Sequence, residues 1–373
     1  MRHKKIIIII LSIILLLPAA NAYAEIEEDI SIKAKAAIAI DNTTGRILYE
    51  YNADEKLPMA STTKIMTAIL AIEKSNLNDY VEVGIGPAYV GGSSIWLEPG
   101  EKIKMMDLLY GLMLESGNDA AAAISEYISG NTDSFVDLMN KKAMDIGAYD
   151  THFSNPHGLD IGIDDHYTTA YDFALITRYA LKNPIFKKIV STKYKVIPWE
   201  NHAWNRQLKN HNKMLWLYDG AYGVKTGFTN KAGRCLVTAC NKNGFDITVV
   251  TLNCPDDWNE TSKILDYIQK NYVLKTIFKK GSILKCANVR NGSSKKIDII
   301  INKDVIIPLK KDEKLSYDVL SFDMINAPIK QGEVIGVLYI YNGKLKFPIV
   351  AKQSVEKETF VEKINNLLYN LMI

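Results

Sequence analysis

The sequence predicts an α+β protein: one sheet covered by helices, then a small all-β domain, then an amphipathic C-terminal helix. Three observations carry this. Helical apolar patterns recur between Lys64 and Leu181, with a hairpin pattern before them and strand patterns after Ala221. Past Lys275 the helical patterns give way to short apolar runs, mostly alternating, separated by turn signals. After Gln353 one stripe returns at helical spacing: Phe360, Val361, Ile364, Leu367, Leu368, Leu371 and Met372.

The first 24 residues read as a secretory signal. Arg2, Lys4 and Lys5 form a basic start, Ile6 to Leu17 is an apolar run too short for a comfortable membrane span, and Ala22-Tyr23-Ala24 fits a cleavage site. The mature chain is expected to begin at Glu25, outside the cytoplasmic membrane. The formal net charge of +3 resides entirely in that signal, so the mature chain is neutral, which argues against nucleic acid as a partner. The expected division is 1–24 signal, 25–274 helix-covered sheet, 275–352 all-β domain and 353–373 amphipathic helix.

Ala36 to Tyr51 reads as a hairpin turned at Asp41-Asn42-Thr43-Thr44-Gly45. Leu57 to Leu70 is a loop entered through Pro58 that runs into an apolar helix. Tyr80 to Leu97 is expected to be strand-like, interrupted by Gly84, Gly86, Gly91 and Gly92. Met105 to Leu114 is a helix, and Asp119 opens another, so Ser116-Gly117-Asn118 is a tight loop between buried helices. Thr151 to Asp160 is turn-rich, and Tyr171 to Leu181 is helical. Three strands follow, around Lys225, from Cys235 to Cys240 and from Ile247 to Leu252, then a helix from Asn259. In the all-β domain the turns fall at Asn291-Gly292 and Asn342-Gly343.

Four cysteines in an exported chain raise the question of disulfides. Cys235 and Cys240 are an odd number of residues apart on one strand and point to opposite faces. With a turn at Asn243-Gly244, Cys235 and Cys254 are diagonal, too far apart for an easy bridge. All four are expected to be buried free thiols. The six histidines form no ligand pattern, and no metal or other cofactor is expected.

Three short motifs carry chemistry. Ser61 and Lys64 are one helical turn apart and share a face. A lysine made neutral by burial or a second cation can take the serine proton. Ser116-Gly117-Asn118 stands second, and Lys225-Thr226-Gly227, on a strand, stands third. Lys225 and Thr226 offer donors to an anion, and the missing side chain at Gly227 leaves room for a ligand backbone. Each motif is common alone; together, in this order, they are specific.

With these motifs the chain resembles the low-molecular-mass penicillin-binding proteins that are serine-type D-alanyl-D-alanine carboxypeptidases, of the S11 peptidase type. The likeness spans roughly Ala36 to Tyr272. It includes Gly92-Ser93-Ser94-Ile95-Trp96-Leu97, Asn155-Pro156-His157-Gly158-Leu159-Asp160 and Ala232-Gly233-Arg234-Cys235-Leu236-Val237. The resemblance implies a β-lactamase/transpeptidase-like fold, an antiparallel sheet covered by helices. It also implies an acyl-enzyme on Ser61, with Lys64 as base and Ser116 relaying the proton to the leaving D-alanine. Asn118 would hold the substrate amide and Lys64. Lys225, Thr226 and Gly227 would receive the terminal carboxylate, and the N–H groups of Ser61 and Phe228 would form the oxyanion hole. The implied partners are peptidoglycan stem peptides, β-lactams as covalent inhibitors, and the outer face of the cytoplasmic membrane through the terminal helix. His157 is left outside the catalytic set. Arg234 is either a carboxylate ligand or a packing residue. Where some relatives carry a further basic residue, this chain has Asp256-Asp257-Trp258.

A class A β-lactamase shares the motifs but adds a Glu-x-x-Leu-Asn element, which this chain lacks between Asn118 and Lys225. A peptidoglycan endopeptidase or transpeptidase, and a non-catalytic wall-binding protein, are the alternatives.

Overall fold

The computed structural model describes residues 30–361 except 342, together with residue 364. The signal segment, Asn342 of one expected turn, and the end of the C-terminal stripe lie outside the described residues.

The first hairpin forms as expected: β1 (Ala36–Asp41) pairs antiparallel with β2 (Ile47–Tyr51). Every residue of β1 is buried, because it lies inside a five-stranded sheet. A 3₁₀ turn, Ala60–Thr63, leads into α1 (Lys64–Lys74), whose first eight residues are all buried. Next come β3 (Tyr80–Glu82), α2 (Ile85–Ala88), β4 (Lys102–Lys104), α3 (Met105–Leu114) and α4 (Asn118–Ser129). They are followed by α5 (Thr132–Ile146), α6 (Ala170–Leu181), α7 (Pro184–Ser191), β5 (Tyr194–Ile197), β6 (Arg206–Lys209) and the short α8 (Met214–Leu217).

The main sheet is completed by β7 (Ala221–Thr229), β8 (Gly233–Lys242) and β9 (Phe245–Leu252), and α9 (Asp257–Asn271) packs on β8 and β9. Strand order is β2-β1-β9-β8-β7, all antiparallel, so the start of the domain closes against its end and β7 is left as an edge. Asn243 and Gly244 both take positive φ, 52° and 84°, between paired Lys242 and Phe245. This is the two-residue turn whose twist matches the strands.

The all-β region begins at β10 (Tyr272–Phe278), followed by β11 (Ile283–Arg290), β12 (Lys296–Ile301), β13 (Val305–Lys310) and β14 (Tyr317–Ser321). It ends with β15 (Met324–Asn326), β16 (Val334–Ile340) and β17 (Leu345–Ala351). β10 pairs with β13, and the other six form one sheet over a core separate from that of the first region. Arg46, at the turn between β1 and β2, joins the two regions. Its Nη2 makes two 2.6 Å bonds to the Glu313 carboxylate, and its Nη1 donates to the Pro308 carbonyl and the Tyr341 hydroxyl.

Two expectations are corrected. Tyr80 to Leu97 is a strand only over Tyr80–Glu82; Ile85–Ala88 is helical, and the rest is irregular. The buried Asp119 carboxylate accepts from the N–H groups of Ile95 and Leu97 and from Ser94 Oγ, which satisfies backbone that a strand would have paired. The four cysteines are free, but Cys286 is exposed, because its β11 position faces away from the β-domain core.

Candidate active site

The motifs converge where the 3₁₀ turn meets the edge strand β7. Ala60, just before the serine, holds φ at +47°, and Ser116 at +64°, both sparsely populated for residues with a side chain. The turn is braced from behind. The Ser154 N–H donates to His166 Nδ1 (3.0 Å), so the proton sits on Nε2, which donates to Thr63 Oγ1 (2.8 Å). Thr63 Oγ1 in turn donates to the Ala60 carbonyl (2.7 Å).

Lys64 is wholly buried beneath Ser61. Its Nζ lies 2.9 Å from Ser61 Oγ, 2.7 Å from Asn118 Oδ1 and 2.6 Å from the His157 carbonyl. Burial first, and the Lys225 cation second, lower its pKa well below the usual lysine value. A neutral amine has two N–H donors and one lone pair. Two of its three contacts are carbonyl oxygens that can only accept. In its neutral form Lys64 can spend both donors on them and keep its lone pair for the Ser61 hydroxyl.

Asn118 is 2 % exposed and sits behind the cleft; its Nδ2 donates to the Gly91 carbonyl (2.8 Å). Lys225 is also buried behind the cleft, its pKa lowered by burial to about 7, and its Nζ donates to the Thr226 carbonyl (3.1 Å). Thr226, Gly227 and Phe228 line the cleft of about 400 Å³ with Ser61 and Ser116. At Gly227 the close approach is to the chain itself. A Cβ there would lie 3.0 Å from the backbone nitrogens of Ser61 and Thr62. The sequence reading gave that space to a ligand.

His157 contributes its carbonyl to Lys64, while its ring Nδ1 accepts from the Leu159 N–H (3.2 Å) and is held neutral, at about 3, by burial. Arg234 lines the cleft, with Nε bonded to buried Asp257 (2.9 Å) and its guanidinium over Trp258. Sequence reasoning missed Ser93, His211 and Lys213, which also line it. Lys213 stands twelve residues before Lys225 in a stretch without periodic pattern, so no sequence signal marked it. Among the described residues no cluster of metal-ligating side chains occurs.

A serine backed by a neutral lysine at the edge of a helix-covered sheet defines an active-serine acyl hydrolase. The family model described as D-alanyl-D-alanine carboxypeptidase matches residues 22–256, and the model for the C-terminal domain of penicillin-binding protein 5 matches 272–357. The chain is 33% identical over 371 residues to the D-alanyl-D-alanine carboxypeptidase DacF of Bacillus subtilis, covering 95% of each chain. It is 31% identical to DacC of Escherichia coli, covering 93% of this chain and 90% of that one. The solved penicillin-binding protein 5 of Haemophilus influenzae superposes with a TM-score of 0.73 at 26% identity, over 88% of this chain and 99% of that one. The chain belongs to the D-alanyl-D-alanine carboxypeptidase family of low-molecular-mass penicillin-binding proteins, and it is a serine-type hydrolase of that specificity.

Proposed function

We propose that Ser61 is the nucleophile that removes the terminal D-alanine from pentapeptide stems, with Lys64 as its base. The observation that carries this is the buried Lys64 Nζ standing 2.9 Å from Ser61 Oγ, with the Asn118 Oδ1 and His157 carbonyl oxygens at 2.7 and 2.6 Å from the same nitrogen. Ser61 Oγ attacks the carbonyl between the two D-alanines as its proton passes to Lys64. The N–H groups of Ser61 and Phe228 receive the oxyanion. As the C–N bond breaks, Ser116 hands its proton to the departing nitrogen and takes in its place the one Lys64 received from Ser61, which leaves Lys64 neutral again. Water, deprotonated by Lys64, then cleaves the ester. A β-lactam opens on the same serine and stays attached.

Asn118 positions Lys64. Thr226 and Gly227 bound the seat of the terminal carboxylate, Lys225 supplies positive potential from behind, and Arg234 adds a cation at the cleft wall. Residues 25–274 form the catalytic part, 275–352 the all-β part, and 353–373 a tail that contacts the outer face of the cytoplasmic membrane after export. Among the described residues no helix is long and apolar enough to cross a membrane. The tail stripe supports in-plane contact instead; Phe360 and Val361 are exposed. Val355 is buried and bridged to Ile329, and Lys357 to Gly292, so a tail deletion must start after Glu358.

The test is D-alanine release from a pentapeptide ending in D-Ala-D-Ala, with fluorescent penicillin on a gel. The full chain releases D-alanine and retains label. Ser61→Ala loses both while keeping its melting transition, and persistent label on that variant would move the nucleophile elsewhere.

A further inference from the structure

A second cavity, of about 580 Å³, adjoins the catalytic cleft. The two share His211 and Lys213 in their walls. Beyond these the second cavity is lined by Tyr194, Lys209, Trp216 and Leu217. Trp216 stands edge-on to Tyr194 at 5.9 Å between ring centroids, and Leu217 is 61 % exposed, an unusual position for leucine on a helix one turn long. The wall is fixed. Glu115 accepts from the Lys209 N–H (2.5 Å) and bonds His211 Nε2 (3.0 Å), and its carboxylate is held below the usual range by these bonds against the opposing pull of burial.

The direction of the substrate follows from the catalytic reading above, on which this inference rests. The scissile carbonyl meets the Phe228 N–H, and the carboxylate one residue further on lies at Thr226. The substrate therefore runs antiparallel to β7, and its last residue points toward the start of that strand at Ala221. There α8 packs against β7 and carries Trp216 and Leu217. The second cavity is thus on the leaving-group side.

A leaving D-alanine presents one methyl group, which needs no such chamber. An apolar aromatic wall beside lysines fits a residue that has both a large apolar side chain and a carboxylate. We infer that the enzyme also removes C-terminal D-amino acids with bulky apolar or aromatic side chains, seated against Tyr194, Trp216 and Leu217. The chemistry is unchanged: the same C–N bond breaks and the larger D-amino acid departs with the relayed proton.

The experiment uses the full chain and N-acylated peptides ending in D-Ala-D-Xaa, where Xaa is alanine, leucine, methionine or tyrosine, with release of each D-amino acid followed chromatographically. We expect kcat/KM for D-leucine, D-methionine and D-tyrosine to match or exceed that for D-alanine. Trp216→Ala and Leu217→Asp should each lower the bulky-residue values about tenfold, the scale of a lost apolar contact in a pocket, and leave D-alanine release unchanged. Wild-type release of bulky residues a hundredfold below D-alanine would overturn the inference. So would an equal fall for all four substrates in both variants. Absent D-alanine release from the parent chain would overturn the catalytic reading itself, and the inference with it.

Discussion

Replacing Gly227 with alanine adds one methyl group where β7 crosses the serine turn. Gly227 does not need its backbone freedom there, because its φ is not in the left-handed region. The requirement is space. The new Cβ would stand 3.0 Å from Ser61 N, 3.0 Å from Thr62 N and 3.1 Å from Ala60 Cβ. Two of those three atoms are backbone, and the turn or the strand must yield by a few tenths of an ångström. Ser61 N is a proposed oxyanion donor, and Ser61 Oγ must stay against Lys64 at 2.9 Å. Loss of one such donor costs about 10²–10³ in rate, and a 1 Å displacement of reacting groups about 10². A shift of a few tenths predicts acylation slowed by about 10–100-fold. Overpacking costs about 1–3 kcal/mol, of which reduced unfolded-state freedom offsets about 0.4–1 kcal/mol. The net is about 1 kcal/mol, a fall in melting temperature of about 2–4 °C. The assays are the rate of fluorescent penicillin labelling and a calorimetric melt. Labelling within twofold of the parent rate would refute the claim that this contact sets the geometry at Ser61.

Lys64→Arg keeps a cation that cannot deprotonate at working pH, so D-alanine release should fall at least 10²–10⁴-fold, the range of general-base catalysis; near-normal acylation would remove Lys64 from the role of base. Burial above all holds His166 at about 4 in the folded chain against 6.5 when free. The unfolded state therefore binds more protons between those values, and the His166 share of stability should fall by about 3 kcal/mol as pH drops from 6.5 to 4, with His157 adding to the fall in the same direction. Urea titrations across that window check this, with a smaller slope expected for His166→Gln. Arg46→Ala strips Glu313 of both 2.6 Å bonds, and about 2–3 kcal/mol of stability should go with the charge-assisted contacts. D-alanine release at 25 °C should be unchanged, and an unaltered melt would show that the two regions are held together elsewhere.

The periodic elements were legible because their patterns are local. Met105–Leu114 forms the expected helix end to end, and Asn243-Gly244 makes the expected hairpin turn. Two helices went unread although their caps were visible. Asn131 caps α5 through the Ser134 N–H, and Asn183 caps α7 ahead of Pro184. Tyr80 to Leu97 misled because its apolar residues Val81, Val83, Ile95 and Leu97 are buried, as strand residues would be. Their burial comes largely from packing under the helices and from Asp119, a partner more than twenty residues downstream. The site divides the same way. The residues in motifs could be named in advance. His211 and Lys213 reach the cleft from a segment with no such motif, and only tertiary structure brings them there.

The places where folding logic and sequence disagree lie together. Lys64 and Lys225 are among the largest fully buried side chains, positions where a leucine would cost nothing in solvation. Ala60 and Ser116 hold positive φ beside them. Each feature alone opposes stability. Their purpose is visible in the arithmetic of one amine. An exposed lysine is charged, hydrated and useless as a base. Burial and a second lysine lower the pKa of Lys64, two carbonyl oxygens lie within hydrogen-bond distance of its Nζ, and the turn sets Ser61 Oγ 2.9 Å away. On the proposed mechanism the buried lysines and the positive-φ turn are one arrangement, so substitutions that relieve the strain should stabilise the fold and silence the serine.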